Sequence, residues 1–196
     1  LARGSVYFAD MDNDGWLDIV SSGYGPNEGN LHVYWNNGDG TFSETGQHFY
    51  GSYDSSCALG DLNADGYMDI VVTGYSRNKG GNAKSFFVYK NCGNRSFEML
   101  NDAFCGFEGV DGATPSLGDV NHDGLPDILV GGHGAEHEIT TWLYLNKGDF
   151  YFESYGAYYD DPFGKLGSFD RISHGNNHLV DYDNDGYLDA WNMGWA

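Results

Sequence analysis

One nine-residue pattern, D-x-[DN]-x-D-G-x-x-D, occurs four times in this 196-residue chain: DMDNDGWLD from Asp10, DLNADGYMD from Asp61, DVNHDGLPD from Asp119 and DYDNDGYLD from Asp181. Closely spaced carboxylates on a turn supply what a hard cation needs, a shell of about six to eight oxygens at flexible geometry, which is the coordination of calcium. In the first loop the side chains of Asp10, Asp12, Asp14 and Asp18 can converge on one point, with the backbone carbonyl of Trp16 completing the set. Asp61, Asn63, Asp65, Asp69 and the Tyr67 carbonyl repeat this in the second. The third offers Asp119, Asn121, Asp123, Asp127 and the Leu125 carbonyl, and the fourth Asp181, Asp183, Asp185, Asp189 and the Tyr187 carbonyl. Gly15, Gly66, Gly124 and Gly186 stand at the sharp turn of each loop.

Other metals fit this chemistry less well. An EF-hand needs a bidentate Glu at loop position 12 and flanking helices, whereas position 12 is Ser21, Val72, Val130 or Asn192. Magnesium prefers to keep its waters, and zinc or copper would want His or Cys. Fourteen of the 29 acidic residues are side-chain ligands in these loops. Leaving them without a counter-ion is unfavourable by direct repulsion, and four calcium ions would change the formal charge from −20 to −12. The expectation is four calcium ions, one per loop, that belong to the fold.

The loops must be positioned by something, and the repeat extends to the segments around them. The first aspartates lie 51, 58 and 62 residues apart. A short apolar run precedes each loop and a second follows it (IVSSG, IVVTG, ILVGG, AWNMG). Tyr34, Tyr89 and Tyr144 follow in the first three units, each with an Asn two residues on (Asn36, Asn91, Asn146) and a Phe six residues beyond that (Phe42, Phe97, Phe152). Alternating apolar residues bounded by Gly, Asn and Asp predict strands and hairpins, and no segment shows a 3.6-residue period. Four antiparallel strands per unit make an all-β propeller blade. The units run approximately over 1–54, 55–112, 113–174 and 175–196, giving three full blades and the first two strands of a fourth in one domain. By strand parity, calcium loops and N-x-G turns share one end of the blades. Tyr34, Tyr89, Tyr144 and the three Phe are expected to be blade-packing residues.

The D-x-[DN]-x-D-G-x-x-D loop between two strands, followed by N-x-G-x-x-x-F, resembles the FG-GAP or VCBS repeat family, the integrin α-subunit-like propellers. The resemblance implies calcium in the loop joining strands one and two, and a ring commonly of seven blades. Because three and a half blades do not close a ring, the chain is expected to be a fragment, with the remaining blades in the same or a companion chain.

Composition narrows the partners. Nine Lys plus Arg against 29 Asp plus Glu argue against nucleic acid or an anionic membrane, and no apolar run is long enough to span a bilayer. Calcium sites of this kind suit the cell exterior or cell surface. The expected function is recognition of an extracellular protein or glycan ligand, with no catalytic residues; the alternative is part of a calcium-dependent carbohydrate-active enzyme, a polysaccharide lyase or hydrolase. The variable connectors opposite the calcium loops carry Tyr50, Tyr53, Phe104, Phe107, Tyr158, Tyr159 and Phe163 and form the candidate ligand face. Cys57 reads as a buried hydrophobe, a Cys92–Cys105 disulfide stays open, and His133, Glu136, His137 and Glu138 read as a solvated loop.

Overall fold

The structure is a computed structural model describing residues 2–25, 28–50, 53–76, 83–100, 109–134, 139–156 and 173–195. It is all-β. Four small sheets follow one another along the chain as blades of a β-propeller, in the order the repeats predict. Blade one holds β1 (Ala2–Ala9), β2 (Asp18–Gly25), β3 (Glu28–Asn36) and β4 (Phe42–Glu44). Blade two holds β5 (Tyr53–Gly60), β6 (Asp69–Ser76), β7 (Ala83–Asn91) and β8 (Phe97–Leu100). After a two-residue strand β9 (Ala113–Thr114), blade three holds β10 (Ser116–Gly118), β11 (Asp127–His133), β12 (Ile139–Asn146) and β13 (Phe152–Gly156). Blade four begins with β14 (Ser173–Val180) and β15 (Asp189–Trp195).

Register is equivalent in every blade. Phe8 pairs with Ile19, Leu59 with Ile70, Leu117 with Ile128 and Leu179 with Ala190, so each loop leaves its first strand and enters its second at the same place. One pairing departs from the expected antiparallel scheme: β9, from the connector into blade three, lies parallel to β14 and adds a third strand to blade four. No periodicity marks a two-residue pairing, and Ala113 and Thr114 reach β14 across more than sixty residues of chain.

The core lies between blades rather than within any one of them. Ile70, Val72, Phe87 and Tyr89 of blade two pack with Val20, Leu31, Val33 and Trp35 of blade one. Their strand neighbours Val71, Phe86 and Val88 point the other way and pack with Ile128, Val130 and Tyr144 of blade three. Leu129, Leu143 and Leu145 then turn toward Leu179 and Ala190 of blade four. A strand buried on both faces reads as a continuous apolar run, which is why IVV and ILV stand where they do. The blades approach closely: a Cβ on Gly60 would come within 2.7 Å of Leu117 Cδ1 from the next blade, so this position admits no side chain without a shift.

Between-blade burial corrects one expectation. Phe97 and Phe152 are buried against the preceding blade, Phe97 stacking on Trp35 and meeting Phe49 edge-on. Phe42, at the same repeat position, is 43% exposed, because among the described residues no blade precedes blade one. Cys57 is buried as expected, Cys92 is exposed, and Cys105 lies outside the described residues.

Two equivalent phenylalanines should therefore differ sharply in denaturant unfolding. Phe97→Ala is expected to cost about 3–5 kcal/mol, in the range for emptying a buried aromatic site, and Phe42→Ala less than about 1 kcal/mol by the same reckoning.

Candidate metal centres

All four loops fold by the same local hydrogen bonds. The carboxylate of the first aspartate accepts the N–H groups of the residues four and five later: Asp10 from Asp14 and Gly15, Asp61 from Asp65 and Gly66, Asp119 from Asp123 and Gly124, and Asp181 from Asp185 and Gly186, at 2.8–3.1 Å. The third residue, Asp12, Asn63, Asn121 or Asp183, accepts the N–H of the fifth through Oδ1. The fifth, Asp14, Asp65, Asp123 or Asp185, accepts the N–H two residues on, that of Trp16, Tyr67, Leu125 or Tyr187. Short Asp and Asn side chains bonding their own backbone favour such turns. The glycine is not the only residue in the left-handed region: the fourth residue, Asn13, Ala64, His122 or Asn184, has φ of 58–61°.

The ninth aspartate does more than sequence reasoning assigned to it. Asp18, Asp69 and Asp127 are fully buried. Oδ2 of each accepts an N–H from inside its own loop, of Met11, Leu62 or Val120 at 2.9 Å. Oδ1 accepts the N–H of Asn36, Asn91 or Asn146 at the end of the third strand, at 2.8 Å. The carboxylate thus ties the loop to the turn between strands three and four. Asp189 makes the loop bond to Tyr182 and is exposed.

In blades two and three the asparagine of the Y-x-N triplet, read only as a repeat marker, extends that tie to the preceding blade. Asn91 Nδ2 donates to the Met11 carbonyl of blade one at 2.6 Å, and Asn146 Nδ2 to the Leu62 carbonyl of blade two at 2.7 Å. A polar residue at a fixed offset from an apolar strand, followed by Gly, was the signal that could have revealed it. Loops and turns share one end of the blades, as parity requires. The Tyr67 ring lies beside Gly93, where φ is 72° and an added Cβ would come within 2.7 Å of the ring, so a side chain there would be strained and would displace the tyrosine.

Among the described residues, two groups of carboxylates come close enough to hold one ion. Asp10, Asp12 and Asp18 each place an oxygen within 4.8 Å of the others, and so do Asp181, Asp183 and Asp189. Asp14 and Asp185 fall outside these groups. Loops two and three carry Asn in the third place, whose amide donates to the fifth residue's outer oxygen: Asn63 to Asp65 at 2.8 Å and Asn121 to Asp123 at 2.9 Å. The donors are oxygens throughout. His122, the imidazole of loop three, meets the Tyr187 ring of loop four edge-on. An all-oxygen set suits a hard divalent cation and not zinc or copper.

Burial pushes the Asp69 carboxyl up to about 7 and Asp127 up to about 6, and raises Asp18; neighbouring loop carboxylates add to the rise and the two accepted N–H bonds oppose it. Without a cation these groups hold a proton more tightly than a solvent-exposed aspartate does.

Of the expected ligand face, Tyr50 is 42% exposed and half committed to packing: its ring stacks on Phe87, and its backbone N–H and carbonyl both bond the Tyr89 hydroxyl. The Tyr53 side chain and residues Phe104, Phe107, Tyr158, Tyr159 and Phe163 lie outside the described residues, as do Glu136, His137 and Glu138. His133 faces Asp111 at 3.4 Å.

Comparison with known proteins agrees with the repeat. The profile of the FG-GAP-like repeat family matches residues 10–72 and 119–191. The chain is 35% identical to integrin alpha-IIb of Mus musculus and 34% to that of Homo sapiens, each over 95 residues. Those matches take in 46% of this chain and 9% of the integrin chain. An Agrocybe aegerita lectin, solved in a study of its specific recognition of non-reducing terminal N-acetylglucosamine, superposes with a TM-score of 0.56 at 22% identity, over 97% of this chain and 46% of the lectin. The likeness to the lectin is one of fold.

The raised carboxyls give stability a sign. A folded-state value above the unfolded one, about 3.9, means the folded state binds the proton more tightly, so stability falls as pH rises through that interval. In chelator, the melting temperature is expected to drop between about pH 4 and pH 7, the window set by Asp69 and Asp127. A melting temperature that climbs across that window would contradict the assignment.

Proposed function

This chain belongs to the FG-GAP-like repeat family, and on that premise we propose that it is a calcium-binding propeller module of the cell exterior that recognises a protein or glycan ligand. The observation that carries the metal part is the pair of all-oxygen groups within 4.8 Å, Asp10–Asp12–Asp18 and Asp181–Asp183–Asp189, inside a loop whose hydrogen bonding repeats four times. In this reading each loop holds one ion. The first, third, fifth and ninth side chains and the seventh carbonyl, that of Trp16, Tyr67, Leu125 or Tyr187, are the ligands. The ion supplies positive charge where three or four carboxylates crowd together. It takes the place of the protons on Asp69 and Asp127, and by binding only the folded loop it stabilises the fold through linkage.

The recognition part rests on the likeness to integrin alpha-IIb and on the lectin fold, and is an analogy, since fold does not fix function. A glycan is the more specific ligand class because the lectin superposes over 97% of this chain. We place further blades beyond blade one, where Phe8 and Val6 are 63% and 60% exposed although Leu59 and Leu117, equivalent to Phe8, pack against a preceding blade.

Two measurements test the reading. Chelation should lower the melting temperature by 10 °C or more, an order-of-magnitude expectation for losing several kcal/mol of linked binding energy, and calcium but not magnesium should restore it. An unchanged melting temperature in chelator would sink the metal assignment. On a glycan array in calcium buffer the chain should retain a defined class of sugar terminus, and no retention would remove the glycan arm.

A further inference from the structure

Among the described residues, loop one differs from the other loops in being met by a cation from another blade. Arg95, in the turn between β7 and β8 of blade two, reaches across the boundary. Its Nε donates to Asp12 Oδ2 at 2.5 Å and a terminal guanidinium nitrogen to Asp14 Oδ2 at 3.3 Å. The guanidinium also lies over the Trp35 ring, 5.4 Å from its centroid. Arg95 sits at φ 60°, a conformation in which glycine would cost nothing, and the matching turn positions are Gly40 in blade one and Phe150 in blade three. The arginine is thus held in a backbone state that its own type disfavours.

The loops' charges explain what it does there. Loops two and three carry three carboxylates each, and the amides of Asn63 and Asn121 bond the outer oxygen of the fifth aspartate. Loop one carries four carboxylates, because Asp12 stands where the asparagine would. It therefore has no amide to give Asp14, and Arg95 gives the bond instead, from the neighbouring blade. Four carboxylates less one guanidinium leave loop one with the formal charge of loops two and three. Loop four has four carboxylates and, among the described residues, no such cation.

We infer that Arg95 is the charge-matching residue of loop one: its guanidinium stabilises the metal-free loop and blade one's contact with blade two, and lowers that loop's affinity for calcium. The inference rests on the reading of the loops as calcium sites. The Asp12 side chain is 8% exposed and that of Arg95 45% exposed, so solvent screens part of the guanidinium charge at the loop. Removing a unit charge a few ångströms from a bound ion is worth on the order of 10-fold in affinity.

The test is calorimetric calcium titration of the chain and its variants, with melting in chelator as a metal-free readout. Arg95→Gln should tighten one class of site about 10-fold, leave the others unchanged, and lower the melting temperature in chelator. Arg95→Lys, which keeps the charge, should stay within about twofold of the parent chain. Adding Asp12→Asn to Arg95→Gln should return the tightened site toward its original affinity. A purely structural contact would lower both apo stability and affinity, so an affinity that falls or does not move in Arg95→Gln overturns the inference while the calcium reading stands. Absence of calcium binding in every variant overturns both.

Discussion

The structure depends on a buried carboxylate with two backbone N–H partners. Asp18, Asp69 and Asp127 are the last residues of their loops and the first of their second strands. Each is inaccessible to water, and burying a carboxylate is unfavourable unless its oxygens are satisfied. One N–H comes from the loop and the other from the end of the third strand, so the loop, the second strand and the third strand are held at one point. In blades two and three the Asn that gives its N–H to this carboxylate sends its amide to the preceding blade. Loop conformation, strand register and blade spacing thus meet at a pair of side chains, and an error in any of them would leave a buried polar group unpaired.

That arrangement sets a buried carboxylate beside a crowd of others in the same loop. The same loops that expose Asp10, Asp12 and Asp14 to one another bury Asp18 a few residues later. Three kinds of compensation are visible: backbone N–H bonds in every loop, asparagine amides in loops two and three, and the Arg95 guanidinium in loop one. Fourteen of the chain's 29 acidic residues stand in these loops, so much of its strongly acidic balance is concentrated there.

Packing follows a second repeated rule, that each blade presents one apolar face forward and another back. Val71 and Val72 are neighbours in one strand yet belong to different cores. A blade is therefore half a core on either side, and its stability depends on its neighbours. The contrast between Phe97 and Phe42 states this in one pair of residues: same repeat position, same side chain, opposite exposure.

Spacing along the chain records local features. The loop's hydrogen bonds join residues two to five apart, and alternation along a strand is set by the backbone, so the nine-residue pattern, the four-strand blade and the oxygen-only donor set were all legible from spacing. What tertiary structure decided spans long separations. The Asn91 bond to Met11 crosses 80 residues and the Arg95 bond to Asp12 crosses 83. The parallel pairing of β9 and the fate of Phe42 likewise depend on which blade stands next to which. No periodicity records such contacts, because the residues that make them are chosen by the distance between two sheets, and that distance exists only after the blades have packed.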